Sequence, residues 1–252
     1  MKLRLPPVPV LILALLVPLL SMISTWQGYH YQHPPERVFM GFRYMAGDHF
    51  QYASLMRQAQ YEGRLLMENR FTTEPQKGVY VFLYYWLLGS AARLTGASLV
   101  AVWEFFRLAG GFLCIVIFWH LTRHFFGEKR QRLAATLIFS FGGGLDWIVT
   151  ALRAMGLSAV AMLEYPFGFH WNWSTFGLMI VPNWVWPSTL WMLVCLAIWS
   201  GWRWRDAVVF TLPPIIWLMH HHTALVVYLA LGLLPVTPLV VAGARLQPLP
   251  WA

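Results

Sequence analysis

Asp48 stands behind Gly47 at the start of a helical pattern in the run GFRYMAGDHFQYASLMRQAQYEGR. A carboxylate there is held as an anion by the free N–H groups and the dipole of the helix start. Such a group takes a proton from a hydroxyl or holds a divalent cation, and it equally serves as a plain helix cap; both roles stay open. His49 and Tyr52 flank it as aromatic donors suited to the wall of a sugar or acceptor site. Glu74, just before Pro75, is a second acid, a metal ligand or a solvated loop residue. Arg107 has the planar fork that clamps a phosphate through two hydrogen bonds, although arginines at membrane edges also snorkel to the interface.

Further along, Asp146 follows Gly142, Gly143 and Gly144, with Arg153 seven residues on. The glycines suit close helix packing or a kink, and Asp146 is also a candidate second acid beside a second phosphate-binding arginine. The segment EYPFGFHWNWSTFGLMIVPNWVWP carries four tryptophans with His170, Trp171 and Asn172. It reads either as an interfacial aromatic belt or as a sugar-binding wall. Its N-W-S triplet matches the glycosylation acceptor pattern, which matters only in a eukaryotic secretory setting. His220, His221 and His222 invite a metal or haem reading, but consecutive helical residues point about 100° apart and cannot share one centre. His220 is left as a further candidate for a carrier phosphate. His120 and His124 have the spacing of a ligand pair at the opposite end of their helix. Cys114 and Cys195 lie in apolar runs and form no disulfide framework.

The elements that must position these residues are strongly apolar. Of the 252 residues, 58% are hydrophobic and 11% charged, where a soluble domain carries about a quarter charged. This composition predicts an all-α, polytopic bundle of about six transmembrane spans, with room for seven or eight if 156–187 hides a short hairpin. The spans expected are Val8 to Thr25, Phe105 to Thr122, Leu133 to Leu152, Val185 to Ser200, Ala207 to Met219 and Thr223 to Ala244. The segment Val79 to Trp103, with Gly89, Arg93 and Gly96, is expected to lie along the interface. Lys2, Arg4 and the basic turn RHFFGEKRQR place the N-terminus and residues 123–132 in the cytoplasm. A single transmembrane domain over 1–252 then has outer loops at 26–104 and 153–184. Six of the ten acidic residues fall between Trp26 and Glu104, which points to that loop as the seat of chemistry. The net charge of +8 is spread over membrane edges and loops, so nucleic acid is not expected as a partner.

These features together carry a resemblance. A short basic N-terminus, an apolar helix, an outer loop with Gly-Asp-x-x-x-Tyr, an aromatic Leu-Leu-Gly helix and then FFRLAGGFLCIVIFWHLTRHFFGEKRQRLAATLIF follow in order. This order is similar to the N-terminal half of the C-type membrane glycosyltransferases, the superfamily of protein O-mannosyltransferases and aminoarabinose transferases, over roughly residues 1 to 145. The resemblance implies transfer of a sugar from a polyprenyl-phosphate donor to an unidentified acceptor on the outer face of the cell membrane. Asp48 would be its essential acid and Arg107 the donor-phosphate ligand. His49 stands where that superfamily often has a second acid, so a divalent cation (Mg or Mn) is left open as the cofactor. Members usually have more spans, which makes an N-terminal fragment or a short member the expectation. Two rivals stand beside this reading. One is a histidine-ligated metal or haem membrane oxidoreductase; the other is a non-catalytic membrane subunit or transporter.

Overall fold

The computed structural model describes residues 5–30, 39–41, 46–141, 182–200 and 204–220, together with 225, 228 and 229. Proline and glycine set several of the helix limits. Helix α1 (Val8–Leu20) begins behind the extended Pro7 and carries Pro18 in its last turn. After Ser21 and Met22 the chain re-enters a helix as α2 (Ile23–His30). Helix α3 (Ala46–Arg57) winds into a π-helical turn, Gln58–Glu62, which stops at the left-handed Gly63 with φ +67°. Glycine tolerates that conformation without Cβ strain.

Residues 64–82 form an extended loop drawn together by one antiparallel bridge between Met67 and Tyr80. The buried Gln58 fastens this loop to the helix. Its Nε2 donates to the Glu68 carbonyl and its Oε1 accepts from the Glu68 N–H, both at 2.9 Å. Helix α4 (Leu83–Thr95) ends at Gly96, φ +70°. Ser98 then caps α5 (Leu99–Thr122), its Oγ accepting the Ala101 N–H at 3.2 Å. A short turn leads to α6 (Lys129–Phe141), and α7 (Pro182–Ser200) and α8 (Arg205–Met219) follow.

Helix α5 is the axis of the bundle. It packs against α1, α4, α6 and α7, while α7 also packs on α8, and α3 with its π-turn lies on α4. The helically spaced positions of α3 pack as expected: Leu55, Met56 and Ala59 are buried with Tyr84, Tyr85, Leu88, Val102 and Trp103, and Tyr52 lies against them. A second cluster joins Leu13, Ala14 and Val17 of α1 to Ile115 of α5 and Val185 of α7. Gly89 is where α4 meets the π-turn. A Cβ there would run into the Met56 carbonyl oxygen and lie 2.6 Å from Ala59 Cβ. Gly89→Ala is therefore expected to destabilise the chain by about 1–3 kcal/mol, the usual range for overpacking, measured by equilibrium denaturation. An unchanged midpoint would show that the two elements part without cost.

The all-α class is observed, but the multi-span bundle is not. Among the described residues one helix, Leu99–Thr122, is long and apolar enough to cross a membrane. Helix α1 has 13 residues, a rise of about 20 Å against a hydrocarbon core of about 30 Å. The apolar part of α7, Val185–Ser200, is likewise short. Helix α6 has 13 residues and α8 has 15, the latter containing Pro213 and Pro214. The first apolar stretch is thus interrupted at Ser21 and Met22, while those in α7 and α8 are continuous but short. The interfacial element expected over Val79 to Trp103 is divided at Gly96, and α5 starts six residues before the predicted Phe105. The expected six to eight spans, and with them a multi-pass cell-membrane placement with a cytoplasmic N-terminus, are corrected accordingly. The expected spans from Leu133 to Leu152 and Thr223 to Ala244 lie largely outside the described residues.

Candidate functional site

Asp48 lies in the first turn of α3, partly exposed, because the helix begins two residues earlier than the Gly-Asp pattern suggested. His49 and Tyr52 turn inward from it. His49 meets the Trp103 ring edge-on at 5.5 Å, and Tyr52 stacks on Tyr85 at 4.7 Å and on Trp103 at 6.2 Å. These side chains join α3 to α4 and α5 as a packed aromatic cluster. Glu74 is exposed in the 64–82 loop, where its N–H donates to Thr72 Oγ1.

Arg107 lies two turns inside α5 and is 0% exposed. Its Nε and Nη2 donate to Glu104 Oε2 at 2.7 and 2.5 Å. Its Nη1 donates to Ser21 Oγ, and Nη2 also faces Met22 Sδ at 2.8 Å. Pro18 and the bend after Leu20 bring Ser21, Met22 and Thr25 to this point, and Thr25 Oγ1 reaches Glu104 Oε1 at 3.4 Å. The guanidinium expected to clamp a phosphate is thus bonded to a carboxylate three residues away. Glu104, expected among the loop acids, is instead the partner of Arg107 on one helix.

Tyr84 stands beside this node, its hydroxyl buried with no hydrogen-bond partner among the described residues. Burial pushes the Tyr84 phenol well above its ordinary 10.0, opposed by the charge of Arg107. Tyr85 is raised well above the same value, by burial first and then by Tyr52, Tyr84 and Asp48. Folded-state values above the unfolded value keep their stabilisation in full below pH 10. That stabilisation is lost as the pH rises further, because the unfolded chain then releases protons that the folded chain retains. Denaturation midpoints taken between about pH 9 and about pH 11 are expected to fall, and to fall less steeply in Tyr85→Phe. A slope identical in the two proteins would contradict this.

The opposite face of α3 builds a different feature. Phe50, Ala53, Ser54 and Arg57, continued by Gln60 and Tyr61, form one wall of a groove enclosing about 660 Å³. Arg70 and Phe71 from the 64–82 loop, Met40, and Ser98, Leu99 and Val100 at the start of α5 complete it. No acid lines it. Arg70 is turned partly aside by Glu62 at 2.5 Å, whereas Arg57 is exposed and has no carboxylate within salt-bridge distance among the described residues. Phe50, Ser54, Arg57 and Tyr61 are spaced four, three and four apart, a helical stripe readable in the sequence. The apolar stripe beside it is the stronger signal in the sequence.

His220 closes α8, its N–H donating to the Ile216 carbonyl at 2.7 Å. Asp146, Arg153, His170 and Trp171 lie outside the described residues, as do His221 and His222. Among the described residues no group of three or more His, Cys, Asp or Glu side chains could hold a metal ion. The structure therefore brings His49 and Tyr52 together with Trp103, and sets Arg107 apart in its own buried node. A transferase that draws a polyprenyl-phosphate sugar from the bilayer needs several crossing helices to wall its cavity, and one such helix is found among the described residues. The expected sugar transfer, the lipid-linked donor and the bilayer as partner are corrected on that ground. The histidine-based redox reading likewise finds no ligand group among the described residues.

A scan against protein-family models, a search of curated proteins and a search of solved structures each return no match.

Proposed function

We propose that this chain is a helical ligand-binding protein whose site is the groove between α3 and the start of α5. The observation that carries this reading is the 660 Å³ groove itself, with Arg57 and Arg70 among apolar and aromatic side chains and no lining acid. Its volume falls within the range of small-molecule sites, about 300–1,000 Å³. Phe50, Phe71, Met40 and Val100 offer an apolar bed, and the arginines favour an anion at its edge. The occupant of best fit is a small organic acid with an apolar or aromatic body. Kinship with the C-type membrane glycosyltransferases is retained as a proposal of ancestry alone. It is supported by the order of an apolar N-terminal helix, an aromatic loop and a long apolar helix leading to a basic turn.

The reading is tested by titrating 1-naphthaleneacetate and its neutral amide into the purified chain calorimetrically, with Ala53→Trp as a groove-filling variant and Arg57→Gln as a charge variant. Saturable binding of the acid, abolished by Ala53→Trp and weakened about tenfold by Arg57→Gln, is the expected result, in line with loss of a charge-assisted hydrogen bond. Binding that Ala53→Trp leaves intact would remove the groove from the account. Equal binding of acid and amide would remove the preference for an anion.

A further inference from the structure

The turn between α5 and α6 gathers nitrogen donors that the protein leaves unused. Trp119 Nε1, His120 Nδ1, His124 Nε2 and Arg132 Nε are all buried atoms without a hydrogen-bond partner among the described residues. Trp119 is 2% exposed and His120 is 5% exposed. Buried polar atoms are nearly always paired, so four orphans within fourteen residues call for a partner. The two helices bring two of them together: Arg132 of α6 sits over the Trp119 ring of α5, 5.4 Å from its centroid. His120 and His124 follow at one-turn spacing.

The chemistry of the missing partner follows from the donors. Indole and guanidinium nitrogens donate only, and a histidine nitrogen can be protonated to do so. The group wanted is therefore rich in acceptors. It is also an anion, since Arg123, Lys129, Arg130 and Arg132 are accompanied by Glu128 alone along this turn. The first turn of α6 is basic and carries no acid, the reverse of what a helix start favours. An oxyanion beside it would relieve that conflict. A cation is disfavoured by the same charges.

We propose that the α5–α6 turn is a binding site for a phosphate oxyanion, free or as a phosphate ester, distinct from the groove beside α3. Arg132 and the two histidines, which stand at one-turn spacing, supply the hydrogen bonds, and Lys129 and Arg130, both exposed, supply only the surrounding field.

The test uses the full chain with inorganic phosphate as probe, following thermal unfolding against sodium chloride at matched ionic strength. Phosphate is expected to raise the midpoint saturably in the native chain. Arg132→Gln and, separately, His124→Gln should weaken the apparent affinity about tenfold. Lys129→Gln, which removes the same charge from the exposed surface, should weaken it no more than about twofold. A parallel arm measures co-sedimentation with phosphatidate against phosphatidylcholine vesicles. Response to inorganic phosphate assigns a free oxyanion, and Arg132-dependent response to phosphatidate alone assigns a phosphate ester in a lipid headgroup. Equal losses in Lys129→Gln and Arg132→Gln would reduce the effect to unspecific charge and overturn the site, as would the absence of a response in both arms. If Arg132→Gln does not fold, the comparison of His124→Gln with Lys129→Gln decides. Neither outcome touches the groove, whose test rests on different residues.

Discussion

Arg107→Met is expected to lower the stability of the chain by about 3–5 kcal/mol, the range for removing one partner of a buried ion pair. The guanidinium is fully buried and Glu104 nearly so. Without the arginine, the buried Glu104 carboxylate loses the cation that offsets its charge, although Thr25 Oγ1 still reaches it at 3.4 Å. Ser21 Oγ meanwhile loses the donor that ties α1 to α5. The double variant Arg107→Met with Glu104→Met removes both charges and is expected to regain most of the loss, because an apolar pair of similar volume has no ion to desolvate. Equilibrium denaturation of the two single variants and the double variant closes the cycle. A loss below about 1 kcal/mol in Arg107→Met would show that the pair is solvated and weak.

Trp103→Ala should destabilise by a similar amount, about 3–5 kcal/mol, for a different reason. Trp103 is 2% exposed and is touched by His49, Tyr52 and Tyr85. Removing it leaves a cavity where α3, α4 and α5 meet, lined by rings that cannot collapse without moving α3. The near-ultraviolet circular dichroism of the stacked aromatics should diminish along with the denaturation midpoint. Trp103→Phe keeps a ring in place and should lose markedly less. Equal losses for the two variants would mean that the indole is not packed as described.

Both predictions rest on residues whose importance was only half visible in the sequence. The stripe through Tyr52, Leu55, Met56 and Ala59 was legible because burial follows the 3.6-residue period. Gly63 was legible as a helix end because only glycine adopts its left-handed conformation cheaply. Glu104 and Arg107 stand three apart on one helix, a spacing that brings side chains together. The apolar run alone marks a helix start at Phe105, which hides the pair by placing Glu104 in the loop, whereas the helix begins behind its Ser98 cap. Apolar content alone overstated the spans. It does not register that Pro18 and Gly96 fall where α1 and α4 end, or that α8 is short and carries Pro213 and Pro214 inside it. The Gln58 clamp on Glu68 depends on a contact ten residues away, which no local periodicity encodes.

The groove is the centre of the functional account, and its two walls come from segments about forty residues apart. Hydrogen–deuterium exchange of the native chain, with and without saturating 1-naphthaleneacetate, reads both walls at once. Binding in the groove predicts slower exchange over residues 50–61 and over 98–101 together, with α6 and α8 unchanged. Protection confined to one of these segments, or appearing in residues that do not line the groove, would contradict it.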